Sequence, residues 1–173
     1  MRDQEWKDQF ADIYQRVMAA YGQGRMSPDT MFETSDREFL ASIGATAQEI
    51  FDYVEDSFYG EDPSYDDVLE VTAMRRGYFL GVMDGKFPER LKQEGEFPRK
   101  MDAVDGIRWL PRIIAKARAK LRGELPPDLM YGCGGDRLFL RRVGVRLPEF
   151  LKVVRDTGPD DASIVAFYKS KAG

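Results

Sequence analysis

The segment from Asp36 to Asp56 recurs, without gaps, one hundred residues further along the chain. Asp36/Asp136, Arg37/Arg137, Phe39/Phe139, Leu40/Leu140, Gly44/Gly144, Glu49/Glu149, Val54/Val154 and Asp56/Asp156 are identical, which makes eight of 21 aligned positions. Just upstream, with the offset changed by one, Gly24-Arg-Met-Ser-Pro-Asp-Thr-Met-Phe32 matches Gly123-Glu-Leu-Pro-Pro-Asp-Leu-Met-Tyr131 at Gly, Pro, Asp and Met. The matches fall on caps, apolar positions and helix stops, where a shared backbone demands the same residue types. A solenoid needs about three such units. Two copies predict instead a pair of helical units packed face to face as one pseudo-symmetric body.

The spacing inside each unit is helical. Residues 3–22 carry Trp6, Phe10, Ile13, Val17, Met18 and Tyr21 at intervals of three and four, ended by Gly22 and Gly24. Ser35-Asp-Arg-Glu38 and Thr46-Ala-Gln-Glu49 fit the capping box and predict two short helices closed by Gly44 and Gly60. Ser64 predicts a longer helix to about Met83. In the second half, Pro111 is tolerable only in a first turn, so a helix is expected over Leu110 to Arg122 with Gly123 as its stop. Asp136 is expected to cap Arg137 to Val143, Pro148 to open a helix reaching about Arg155, and Asp160 to open the last one. Between the halves, Gly85, Pro88, Gly95 and Pro98 predict a loop with one helical turn near Glu89 to Gln93. No segment alternates with period two. The expected fold is all-α, about eight helices: a first unit over 1–84, a linker over 85–106 and a second unit over 107–173, forming one globular domain overall.

Two counts narrow the chemistry. The 173 residues include no histidine and one cysteine, Cys133. The first removes the usual base of serine and cysteine hydrolases and the commonest transition-metal ligand. The second removes an internal disulfide framework and any multi-thiolate zinc site. The N-terminus is charged from Arg2 and lacks a signal-peptide apolar stretch, and the longest apolar runs, such as Tyr78 to Met83, fall far short of a membrane span. A cytoplasmic protein without membrane attachment is expected.

The second half has a recognisable pattern. Gly106-Ile-Arg-Trp-Leu-Pro-Arg-Ile-Ile-Ala-Lys-Ala-Arg-Ala119 precedes Gly123-Glu-Leu-Pro-Pro-Asp128, then Asp136-Arg-Leu-Phe-Leu140 and Val143-Gly-Val145. This ordered set resembles DUF5069, a bacterial family of small helical proteins without assigned function. The resemblance covers about 104–170 and extends weakly through the repeat to residues 6–83. It implies a helical fold and carries no activity, cofactor or catalytic residue.

The most suggestive local chemistry lies at Tyr131-Gly-Cys-Gly-Gly-Asp136. A glycine-rich turn feeding a helix start exposes amides that can hold an anion, so Tyr131, Gly134, Gly135, Asp136, Arg137 and Arg141 are candidate ligand-binding residues. Cys133 is the candidate nucleophile or redox sensor, its thiolate favoured by the helix end and the following arginines. The competing explanation is a loop that needs glycine for positive φ, with Asp136 as an ordinary cap. Its counterpart Phe32-Glu-Thr-Ser-Asp36 manages without glycine or cysteine. Trp6 and Trp109 are expected to anchor their helices. The acids around Glu61 to Asp67 are best explained as a helix-start cluster, and neither a metal nor a cofactor is expected.

Charge divides unevenly. Residues 1–98 hold 10 basic and 21 acidic groups, and residues 99–173 hold 16 and 9, so −11 and +7 recover the net −4. Arg108, Arg112, Lys116, Arg118, Lys120 and Arg122 crowd one helix and could meet a polyanion. The acidic overall balance weighs against nucleic acid and favours the basic half packing on the acidic half, within the chain or in a homodimer. These observations favour a non-catalytic module, working through a groove between the two copies, that binds a protein partner or a small anionic ligand. The alternatives are a thiol-dependent enzyme or redox protein at Cys133 and polyanion binding by the 108–122 helix.

Overall fold

A computed structural model describes residues 3–60 and 62–173. Among them, α1 (Asp3–Gly22), α2 (Pro28–Met31), α3 (Thr34–Ser42), α4 (Ala47–Gly60) and α5 (Tyr65–Gly81) make the first half. A 3-10 turn (Glu94–Glu96) and a short hairpin of β1 (Ala103–Val104) and β2 (Ile107–Arg108) follow. The second half holds α6 (Leu110–Arg122), α7 (Gly134–Arg141), α8 (Leu147–Thr157) and α9 (Asp161–Ala172). The fold is all-α, and among the described residues no helix is long and apolar enough to cross a membrane.

Several helix starts are those the sequence predicts. The Ser64 hydroxyl accepts the amide of Asp67, Thr46 and Glu49 exchange reciprocal hydrogen bonds, and Asp160 accepts the amide of Ser163. Gly123 closes α6 at φ 67°, with its amide bonded to Ala119 and Lys120 carbonyls.

Other boundaries differ. The box that opens α3 is Glu33 with Asp36, rather than Ser35 with Glu38, because the Asp36 carboxylate turns back to the Glu33 amide at 2.8 Å. Asp136 likewise does not cap α7. The N-cap is Cys133, and Asp136 sits in the first turn with its carboxylate drawn inward. The helical turn expected over Glu89 to Gln93 lies instead at Glu94–Glu96, where Gln93 and Glu96 form the box and Arg90 grips Glu96 through two bonds of 2.8 and 2.9 Å. The hairpin, absent from the sequence expectation, turns on Asp105 and Gly106, both at positive φ, and pairs Val104 with Ile107.

Helix α1 packs on α4 and α6 packs on α8, while α5 crosses from the first half to lie against both α6 and α8. One apolar cluster therefore draws on both halves, from Phe10 and Ile13 to Phe150 and Ile164. The connecting segment is fastened rather than loose: Phe97 is buried, the Lys92 amide donates to the Glu124 carbonyl at 2.8 Å, and Arg112 donates to the Pro98 carbonyl at 2.7 Å.

Candidate functional site

The end of α3, the start of α4, the end of α6 and the loop 123–131 surround a cavity of about 190 Å³. Its wall is mainly apolar, from Phe87, Leu91, Leu125, Pro126, Leu129 and Met130. Two glycines at positive φ shape one end. A Cβ at Gly44 would stand 2.5 Å from Phe79 Cγ, and one at Gly123 would stand 2.4 Å from Arg75 Nη2. Glycine at these positions is what lets Phe79 and Arg75 pack directly against the backbone.

The polar end belongs to α4 and α6. Lys120 is buried and its ammonium donates to Glu49 at 2.8 Å, an ion pair across the two halves. It also lies 5.7 Å over the ring of Tyr53. The Tyr53 hydroxyl donates to the Tyr131 carbonyl, and the Tyr131 hydroxyl to the Leu147 carbonyl, each at 2.8 Å. Burial holds both phenols well above their ordinary pKa, so they remain neutral donors. Asp52 lines the same end, and burial, reinforced by Glu55, Glu49 and Asp56, pushes its carboxyl up to about 6 against a hydrogen bond from Gln48.

Asp52, Pro127, Leu129 and Met130 are shared with a neighbouring cleft of about 480 Å³ that contains Cys133. There the Lys116 ammonium lies 3.3 Å from Cys133 Sγ and is also bonded to the Asp136 carboxylate. Asp136 further accepts the Trp109 indole N–H and the Gly132 amide, each at 2.9 Å. Trp109 adopts φ 74°, a left-handed conformation that costs a bulky residue of order 1–3 kcal/mol. Its ring edge fills the space above Gly135, where a Cβ would come within 2.6 Å. Rather than only anchoring its helix, Trp109 is half-buried and lines the thiol cleft, whereas Trp6 is sealed in the core.

The candidate residues from the sequence thus divide. Cys133, Gly135 and Asp136 come together around Lys116, and Tyr131 is buried beneath the first cavity. Gly134 is exposed. Arg137 and Arg141 point elsewhere: Arg137 pairs with Asp56 at 2.7 Å and Asp62 at 2.9 Å, and Arg141 with Asp62 at 2.5 Å. Asp67, one of the helix-start acids, accepts Arg146 at 2.6 Å, and Glu61 lies outside the described residues. Of the basic residues on α6, Arg112, Lys116 and Lys120 are buried and paired with Glu94, Asp136 and Glu49. Glu49, Asp52 and Tyr53 are the cavity residues that sequence reasoning missed as site residues, and Lys120 entered it only as part of a basic helix face. The one available signal was the four-residue spacing of 112, 116 and 120, which puts them on one helix face.

Residues 96–172 match the profile of DUF5069, a domain of unknown function. No curated protein and no solved structure matches the chain.

Proposed function

Because the match to DUF5069 assigns no activity, we propose from the cavity that the protein is a non-catalytic module that binds a small, largely apolar molecule between its two halves. The observation that carries this is the combination of an apolar wall with a few convergent polar groups, Lys120, Glu49, Asp52 and Tyr53, contributed by both halves. The halves are taken as diverged copies. Supporting this, Arg16–Asp36 and Lys116–Asp136 are ion pairs in the same register, α3 and α7 begin at Thr34 and Gly134, and Gly44 and Gly144 share positive φ. The test is ligand-observed NMR with 1-octanol against the wild type and Met130→Trp, which fills the cavity. Binding that disappears in the variant supports the proposal, and equal binding by both proteins defeats it.

A second reading is favoured by the 3.3 Å contact between Lys116 Nζ and Cys133 Sγ in the adjoining cleft: thiol chemistry on an anionic substrate. Alkylation of the folded protein by iodoacetate and by iodoacetamide tests it. A rate ratio favouring the anion beyond that of glutathione supports the reading, and a ratio equal to glutathione's removes it.

A further inference from the structure

A groove of about 250 Å³ runs between the loop that leads into β1 and helix α7. Met101, Trp109, Leu138 and Phe139 make its wall apolar. Phe139 is buried and Trp109 half-buried, while Met101 and Leu138 are 66% and 53% exposed. An apolar cavity of about 150 Å³ takes a benzene ring, so this groove has room for one bulky side chain. The left-handed backbone that holds Trp109 in the wall is strain of a kind that clusters at ligand clamps.

The charged residues of the groove are Lys100, Arg108 and Arg142, and no acid lines it. All three are exposed, and none pairs with an acid among the described residues. Elsewhere in the second half pairing is the rule. Of the 16 basic residues over 99–173, 11 form ion pairs, and three of the other five line this one groove. The acids nearest in sequence are committed: Asp102 accepts the Arg99 amide, Asp105 pairs with Lys169, and Asp136 pairs with Lys116. The groove is therefore an apolar slot edged by three uncompensated cations.

Its complement is negative charge on either side of an apolar side chain. A nucleic acid supplies the charge but needs ring faces on which its bases stack, and the exposed members here, Met101 and Leu138, are aliphatic. A membrane surface supplies charge too, but it takes up protruding apolar side chains rather than filling a slot. We propose that the groove docks an acidic peptide segment of a partner protein, with one bulky apolar side chain seated between Met101 and Leu138 and carboxylates facing Lys100, Arg108 and Arg142. This surface shares no lining residue with the inter-half cavity, so the proposal stands apart from the ligand proposed there.

The experiment is fluorescence anisotropy with labelled heptapeptides that carry three glutamates on each side of a central Leu, Met, Phe or Trp. At least one of the four binds with a Kd below about 100 μM at low salt, and a central Ala weakens it by about tenfold. Arg108→Glu/Arg142→Glu and Leu138→Ser, which alter exposed side chains, each weaken the best peptide by at least about tenfold. Arg122→Glu, which reverses an exposed unpaired cation outside the groove, leaves it unchanged. Binding of none of the four peptides overturns the proposal. So does an alanine peptide that binds equally well, or an equal loss in Arg122→Glu, since either result means unspecific attraction to positive charge. Tighter binding of a single-stranded oligonucleotide or of phosphatidylserine vesicles, lost in Arg108→Glu/Arg142→Glu, overturns the peptide in favour of that occupant.

Discussion

The ammonium of Lys116 and the carboxylate of Asp136 are bonded to each other with both side chains closed off from solvent, at 1% and 0% exposure. One hundred residues earlier Arg16 and Asp36 make the corresponding pair at 2.6 Å, but there the arginine is 45% exposed. The same register thus carries two different electrostatic situations.

Removing the cation separates them. Lys116→Met strands the Asp136 carboxylate in the interior and is expected to cost about 3–5 kcal/mol. Arg16→Met removes a half-exposed cation, so that water reaches the otherwise buried Asp36 carboxylate, which keeps its Glu33 amide bond, and about 1 kcal/mol is expected. Urea unfolding of both variants measures the difference. Equal losses would mean that burial of the pair does not control its contribution.

With no histidine in the chain, Asp52 is the described carboxylate whose pKa is moved near neutrality, to about 6. The folded value lies above the ordinary 3.8, so between about pH 4 and 6 the folded state holds the proton more tightly than the unfolded chain. The contribution of this group to stability therefore falls as pH rises through that window, and the cost stays constant above it. Screening at this partly exposed position limits the cost to about 1 kcal/mol. Asp52→Asn is expected to raise the melting temperature at pH 7.5 and to lose that advantage by pH 4. A pH-independent gain would disprove the assignment.

Gly44 and Gly144 both occupy the left-handed region, at φ 76° and 67°. A Cβ at Gly144 meets nothing within 4 Å, whereas one at Gly44 collides with Phe79. Gly144→Ala should cost only the conformational term, about 1–2 kcal/mol. Gly44→Ala should add about 1–3 kcal/mol of overpacking and disturb the cavity wall. Thermal melts of the two variants check the order, and an equal effect would count against the close packing of Phe79.

Gly135→Ala places a methyl group 2.6 Å from the Trp109 ring. Tilting that ring breaks the indole bond to Asp136, so the substitution should destabilise by about 1–3 kcal/mol and change tryptophan emission. A variant with wild-type stability and an unchanged spectrum would show that the ring has room to move.

The elements that the sequence specified were those with local signals. The stripe of α1, the Ser64 and Asp160 caps, the Thr46–Glu49 box and the Pro111 and Gly123 limits of α6 each lie within a few residues of the structure they determine. The Asp105-Gly106 hairpin also had a local signal, the favoured dipeptide of a two-residue turn, but strands of two residues leave no alternation to detect. Asp136 looks like a cap in a linear reading because short acids favour helix starts. Its actual role, and the ion pair that Asp36 adds to its part in the α3 box, depend on cations twenty residues upstream on other helices. Lys116 and Lys120 look solvent-facing for the same reason, since only the tertiary fold brings Asp136 and Glu49 to meet them. Arg75 carries no sequence signal at all: its neighbours Met74 and Arg76 give no hint that α5 crosses between the halves and buries it.

Trp109 offers a natural optical probe. Its indole borders the cleft that holds Cys133, while Trp6, the other tryptophan, is shut inside the core. In a Trp6→Phe background the emission would come from one fluorophore next to one sulfur. Oxidation or alkylation of that sulfur, or occupation of the cleft, would then be visible as a change in light without attaching a label to the chain.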